Sequence, residues 1–291
     1  MRTAPGDPAG SNSAPFIVGA GRSGTTLLRL MLDAHPELAI PPETHFIPPL
    51  KQLWDELPQP GDAVIDALLE HQSWADFDID PDRFRARLES SGAANLTDVL
   101  RAFYSMYAEQ KGKSRWGDKT PLYVMAMPTI AELLPEAHFI HVIRDGRDVA
   151  LSVRPLWFGP NSLEEAAVWW QRRIEAGRRA GTALSYLEVQ YESLVEDTRR
   201  QLERVCRFLG LEFREEMLSS HTRAGARLLE EKDLPQHGLT AERRREIHAH
   251  VRDRPDSSRV GRWRTEMTPE ERRRFADLAG DMLQRLRYPV G

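Results

Sequence analysis

The chain has 291 residues, 41% of them hydrophobic, a length and composition that suit a globular domain with a real core. Its net charge of −4 argues against general nucleic-acid binding, and no apolar run approaches the ~18 residues of a membrane span. One cysteine, Cys206, excludes an intrachain disulfide and points to a reducing compartment.

Residues 1–15 are rich in Ala, Pro, Gly and Ser without an apolar segment, and are expected to be a disordered leader rather than a secretory signal. Residues 16–291 then read as a single domain. Apolar, β-branched runs at 16–19, 37–40, 114–117, 137–143 and 184–190 are predicted strands. They alternate with longer helical patterns near 25–35, 47–56, 122–134, 146–153, 163–181 and 194–209. That alternation predicts an α/β fold, a central parallel sheet flanked by helices on both faces. Residues 58–113 have helical periodicity and no clear strand, and read as a helical insertion or cap. From 214 to 264 the pattern weakens and charge rises, as expected of a partly mobile segment covering the substrates. Thr268-Pro-Glu-Glu271 opens the last helix with an N-cap Thr, Pro at the first position and Glu at the third. Cys206 falls on an amphipathic helix and reads as a small buried hydrophobe.

Gly19-Ala-Gly-Arg-Ser-Gly-Thr-Thr26 joins the first strand to the first helix. Such a turn aims backbone N–H groups and the positive end of a helix dipole at one point, a site for a phosphate. The spacing G-x4-G-x-[ST] is that of a P-loop, but Thr25 stands where the lysine that reaches the terminal phosphates of a nucleoside triphosphate would be. The positive charge sits three residues earlier, on Arg22. This loop reads as one for a single phosphate on a nucleotide.

The second signal is Phe139-Ile-His-Val-Ile-Arg-Asp-Gly-Arg-Asp-Val-Ala-Leu-Ser152. Arg144 ends an apolar strand, where ligands bind in open α/β sheets, and Ser152 lies two turns into the following helix. Taken alone, Arg144 and Asp145 also fit a helix cap with neighbouring ion pairs. His35, His138, His141 and the C-terminal histidines show no metal-ligand spacing, so no catalytic metal is expected.

Together the two motifs resemble the sulfotransferases that use 3′-phosphoadenosine 5′-phosphosulfate (PAPS), with the tyrosylprotein sulfotransferases and their bacterial relatives nearest in pattern. The resemblance is densest over 19–54, 116–121 and 139–152, and thinner over 189–194 and 257–263. It implies that Arg22, Ser23, Gly24, Thr25 and Thr26 hold the 5′-phosphosulfate, and that Arg144 and Ser152 hold the 3′-phosphate. Pro41-Pro-Glu-Thr-His45 resembles the segment carrying the catalytic base, which makes Glu43 the candidate. His45 stands where the family has an Arg that grips acidic peptides, and with its near-neutral intrinsic pKa it is a rival base. Lys119, in Trp116-Gly-Asp-Lys-Thr-Pro121, matches the lysine beside the oxygen that bridges sulfur and phosphorus. It is one of 5 lysines against 35 arginines. Tyr191, Ser258 and Arg262 match residues near the nucleotide. The implied enzyme transfers a sulfuryl group from PAPS to an acceptor hydroxyl, leaving 3′-phosphoadenosine 5′-phosphate (PAP).

A bacterial, cytoplasmic enzyme is expected. A small molecule, lipid, sugar or peptide tyrosine all remain open as the acceptor, and the oligomeric state is open too. Seven aromatics of the insertion (Trp54, Trp74, Phe77, Phe84, Phe103, Tyr104 and Tyr107) fit either an acceptor pocket or helical core packing. A non-catalytic PAP-binding protein and a P-loop kinase or NTPase are the alternative readings.

Overall fold

The computed structural model describes residues 13–156, 159–234 and 238–290. Six strands lie along the chain: β1 (Ala14–Gly19), β2 (Leu38–Ala39), β3 (Arg115–Trp116), β4 (Asp118–Lys119), β5 (Ala137–Ile143) and β6 (Tyr186–Gln190). Four form a parallel sheet in the order β4-β1-β5-β6, and β2 and β3 pair separately, also in parallel. The helices are α1 (Thr25–Asp33), α2 (Ile47–Glu56), α3 (Gly61–Leu69), α4 (Pro81–Ser91), α5 (Leu96–Gln110), α6 (Met127–Leu133) and α7 (Gly146–Val153). They continue with α8 (Leu163–Gly181), α9 (Tyr191–Glu196), α10 (Thr198–Leu209), α11 (His221–Leu228), α12 (Ala241–Ile247), α13 (Trp263–Glu266) and α14 (Pro269–Arg285).

Every residue of β1 is buried, because helices cover both faces of the sheet. Strand alternation divides its side chains. Phe16 and Val18 join a core with α2–α6, while Ile17 joins Leu28, Met31 and Leu32 of α1 and Leu202 and Val205 of α10. A third cluster packs Val149 of α7 and Trp170 of α8 against Phe275 and Leu283 of α14. Register pairs Ile17 with Lys119, Gly19 with Val142, and Ile143 with Gln190. The carboxyl ends of all four strands therefore share one edge, and that edge carries the site.

Several elements differ from the sequence reading. The leader expected over 1–15 lies outside the described residues up to 12, but Ser13 is buried and Ala14 and Pro15 belong to β1. Strand β4 was not anticipated: it is two polar residues long, buried by its place at the sheet rather than by apolar pattern. The helix expected over 194–209 begins earlier and breaks at Asp197, whose side chain caps α10 through Arg200 N–H. The segment 214–264 contains α11, α12 and two 3-10 turns as well as loops. Six of the seven aromatics are buried in the core, and Trp54, which belongs to α2 ahead of the insertion, packs against it; none lines the cavity described below. The predicted capping box at Thr268 and Glu271 is present, and Cys206 is buried beside Met217.

Candidate active site

The Gly-rich loop follows β1. Gly19 takes φ +152°, and a Cβ there would lie 2.5 Å from the Val142 carbonyl oxygen, so only glycine lets the loop leave β1 against β5. Arg22 adopts the left-handed region at φ 72°, an uncommon state for a side-chain-bearing residue. It turns the chain so that Gly24, Thr25 and Thr26 line a cavity of about 700 Å³. Helix α1 has no side-chain cap, which leaves its first-turn N–H groups available to an anion. Ser23 is fully buried beneath the loop and its Oγ has no hydrogen-bond partner.

Glu43 and Lys119 meet at the strand edge. Lys119 Nζ donates to Glu43 Oε1 at 2.5 Å and to Thr26 Oγ1 at 3.3 Å. The other carboxylate oxygen, Oε2, lies 2.9 Å from His45 Nε2. Lys119 is 1% exposed, whereas the Glu43 side chain is 28% exposed toward the cavity. Burial alone would raise the Glu43 carboxyl. The ammonium of Lys119 and the ring of His45 outweigh it and hold the group well below its ordinary value. His45, like Arg22, is left-handed, at φ 58°. Two of the four non-glycine residues with positive φ among the described residues thus stand in this site.

The neighbour of Glu43 fixes this arrangement. Thr44 Oγ1 lies 2.7 Å from Asp118 Oδ2 and 2.8 Å from the Tyr123 hydroxyl. Its N–H donates to Thr120 Oγ1, and its carbonyl accepts from Ser73. Tyr104 adds a 2.9 Å hydrogen bond to Asp118. Burial raises the Asp118 carboxyl, and these donors oppose the rise. The sequence reading used the Glu-Thr pair as a motif and gave Thr44 no role of its own.

At the other end of the cavity three guanidiniums converge. Arg144 donates to the carbonyls of Arg22 at 3.1 Å and Arg259 at 2.5 Å, and stacks over the Tyr191 ring at 4.5 Å. Burial, and then the like charges of Arg144 and Arg259, lower Arg22 to about 10. Only Asp148, 3.8 Å from Arg144, forms an ion pair with any of the three among the described residues. So much uncompensated positive charge on a concave wall favours a bound anion. Asp148 also accepts from the Gly261 and Trp263 N–H groups, which docks the C-terminal cover onto α7. Tyr191 was read at a strand end. It is the first residue of α9, and its ring lies where a Gly24 Cβ would be, at 2.4 Å.

Two of the expected nucleotide residues, Ser152 and Arg262, do not line the cavity. The Ser152 Oγ is buried without a partner. Arg262 is turned away and paired bidentately with Glu266 at 2.7 Å, because the two are one helical turn apart. Arg259 supplies the positive charge on the cavity wall instead. Ser258 lines the cavity, with its hydroxyl bonded to Asp256. The wall also carries His71, Glu231, Arg244 and His248, to none of which the sequence reading gave a site role; Arg244, in a charge run read as an exposed helix face, is largely buried against Asp76. Burial, followed by the charges of Lys119 and Arg22, lowers His248 to about 3, so its ring is neutral.

Residues 15–215 match the Sulfotransferase family. Among curated proteins the chain is 28% identical over 217 residues to protein-tyrosine sulfotransferase 1 of Danio rerio, covering 70% of this chain and 54% of the relative. It thus spans about half the length of that relative. It is also 28% identical to nodulation protein NoeE of Sinorhizobium fredii, over 94% of this chain and 65% of that protein. Among solved structures it is similar to the sulfotransferase domain of the Synechococcus PCC 7002 olefin synthase. That likeness has a TM-score of 0.62 and 26% identity, and covers 94% and 96% of the two chains. With the family match running from β1 through the loop, the Glu43–Lys119 pair and Arg144 to α10, the chain belongs to the sulfotransferase family.

Proposed function

We propose that this protein transfers a sulfuryl group from PAPS to an acceptor hydroxyl. The observation that carries the reading is the meeting, on one sheet edge, of a phosphate loop without a P-loop lysine, an arginine cluster and a carboxylate–ammonium pair. Arg22 and the loop N–H groups suit the 5′-phosphosulfate, and Arg144, Arg259 and Tyr191 suit the nucleotide's second phosphate.

In the reaction the acceptor oxygen forms a bond to sulfur as the bond from sulfur to the bridging oxygen breaks. PAP leaves with the electron pair, and the acceptor proton passes to Glu43. Lys119 donates a hydrogen bond to the leaving oxygen as charge grows there. The same move withdraws the ammonium from Glu43. Its carboxylate then loses the partner that keeps it a weak base, and it gains basicity when a proton must be taken. His45 orients Glu43 from the other side. Most of the rate enhancement is positioning and fixed charge, as in phosphoryl transfer. A cytoplasmic site of action, suggested by the single buried Cys206, is part of the proposal.

Calorimetric titration with PAP, beside ATP with Mg²⁺, tests the reading. PAP binding that is lost in Arg144→Ala, together with weak ATP binding, is the expected result. Absence of PAP binding to the wild-type chain would overturn it.

A further inference from the structure

The cavity has two electrostatic halves. Arg22, Arg144 and Arg259 make one end positive, whereas the wall on the Glu43 side carries a second carboxylate, Glu231. Glu231 is 5% exposed. Its Oε2 is buried and accepts no hydrogen bond, and the residue forms no ion pair among the described residues. Of the nearby cations, Arg244 holds Asp76 through two bonds of 2.9 and 2.7 Å, Lys119 holds Glu43, and Arg29 donates to the Ile40 carbonyl and lies 3.6 Å from Glu230; none hydrogen-bonds Glu231 among the described residues.

The chain builds this orientation deliberately into the turn after α11. The carboxylate of the preceding residue, Glu230, is held by Lys111 at 2.7 Å, by the buried Tyr107 hydroxyl at 2.9 Å and by Arg227. Arg227 is in turn fixed to Asp33 of α1. With Glu230 locked into that network, the next side chain is left facing the cavity. Burial raises the Glu231 carboxyl, against the pull of Arg244 and Lys119. A buried carboxylate oxygen without a donor is costly, and a ligand that supplies the donor recovers that cost.

We propose that Glu231 recognises the acceptor, taking a hydrogen bond from a hydroxyl or ammonium that the acceptor carries in addition to the hydroxyl that is sulfated. The proposal rests on the sulfuryl-transfer reading and deepens it. The acceptor class is a neutral or cationic molecule with at least two donor groups, and acceptors with an anion at that position are excluded.

A matched phenol series tests this with the full chain: tyramine (ammonium), tyrosol (hydroxyl), 4-ethylphenol (no second donor) and 4-hydroxyphenylacetate (anion). Binding to the PAP-loaded protein and transfer from PAPS are both measured, for wild type and for the near-isosteric Glu231→Gln. Wild type is expected to favour tyramine or tyrosol over 4-ethylphenol by about tenfold or more, the scale of one hydrogen bond to a charged group, with the anion poorest. Which of the two leads tells ammonium from hydroxyl. In Glu231→Gln the preference for tyramine and the rejection of the anion collapse while PAP affinity stays unchanged. A flat series in wild type, failure of both tyramine and tyrosol to bind, or unchanged discrimination between ammonium and anion in Glu231→Gln overturns the proposal. So does weakened PAP binding by the variant, which would put Glu231 on the nucleotide. Failure of the wild-type chain to bind PAP removes the sulfuryl-transfer reading itself, and this proposal with it.

Discussion

The ammonium of Lys119 lies 2.5 Å from the carboxylate of Glu43 and 3.3 Å from the hydroxyl of Thr26, so one side chain ties the candidate base to the phosphate loop. The charge state of Glu43 therefore depends in part on a residue to which the proposed reaction gives a second duty.

Replacing Lys119 with Met separates those two duties. Transfer is expected to slow by roughly 10²–10³-fold, the range for losing one preorganised donor at a developing negative charge. The acid limb of the kcat/KM profile should also move. In the wild type Glu43 stays ionised to well below its ordinary value of 4.5, so activity falls only at pH below that. Without the ammonium, burial acts with less opposition, and the limb shifts to higher pH. An unmoved limb with a slower rate would show that Lys119 does not govern the Glu43 charge.

Tyr191 is expected to serve through its ring, which lies against both Gly24 and the Arg144 guanidinium. Tyr191→Phe should bind PAP within a few-fold of wild type, and Tyr191→Ala about tenfold or more weakly, a stacked cation–π contact being worth up to ~2 kcal/mol when desolvated. Gly24→Ala places a methyl 2.4 Å from that ring at φ +96°. It should destabilise the fold by about 1–3 kcal/mol and abolish tight PAP binding. The double variant Gly24→Ala with Tyr191→Ala should recover the steric part of the stability loss but not the backbone strain. Thermal melts of the three variants measure the division.

Thr44 tests the support beneath Glu43. Thr44→Val removes the hydroxyl shared by Asp118, Tyr123 and Thr120, and leaves buried Asp118 with one fewer donor. A loss of about 1–3 kcal/mol in unfolding free energy is expected. The kcat should fall more than KM rises, because the loop that carries Glu43 is loosened rather than removed. A wild-type rate in a destabilised protein would confine Thr44 to folding.

Stability should decline on mild acidification. Burial lowers His141 from 6.5 to about 4, and its Nδ1 is bonded to the Tyr186 hydroxyl at 2.6 Å. Burial likewise lowers His71 to about 4. A histidine depressed in the folded state binds its proton more readily when unfolded. Stability is therefore complete above pH 6.5 and falls as pH drops toward 4, by at most ~1.4 kcal/mol per pH unit for each such ring. Urea denaturation between pH 7 and 4.5 measures the slope, and His141→Leu should flatten it.

The sheet and the loop were legible because their signals are local. Residues 137–143 form a mostly apolar run, broken only by His138 and His141, and are β5 to the residue. Thr268 and Glu271 close a capping box three residues apart. Glu43, Lys119, Arg22 and Arg144 were legible through motif. The rest depends on contacts between distant segments. Strand β4 is Asp-Lys and is buried only because β1 lies beside it. Arg259 lines the cavity and Arg262 does not, because Glu266 captures Arg262 one turn away, and in a chain with 35 arginines nothing local marks Arg259. Glu231 faces inward because Lys111, Tyr107 and Arg227, up to 123 positions away, hold its neighbour.

Strand β4 has a mechanical consequence. Asp118 suspends the loop of Glu43 through Thr44, and the next residue on the same strand is Lys119. Base and ammonium therefore hang from one bracket. The backbones that carry them are tied to one strand, so any change in their separation has to come from the side chains, and the flexible stem of Lys119 is free to make it.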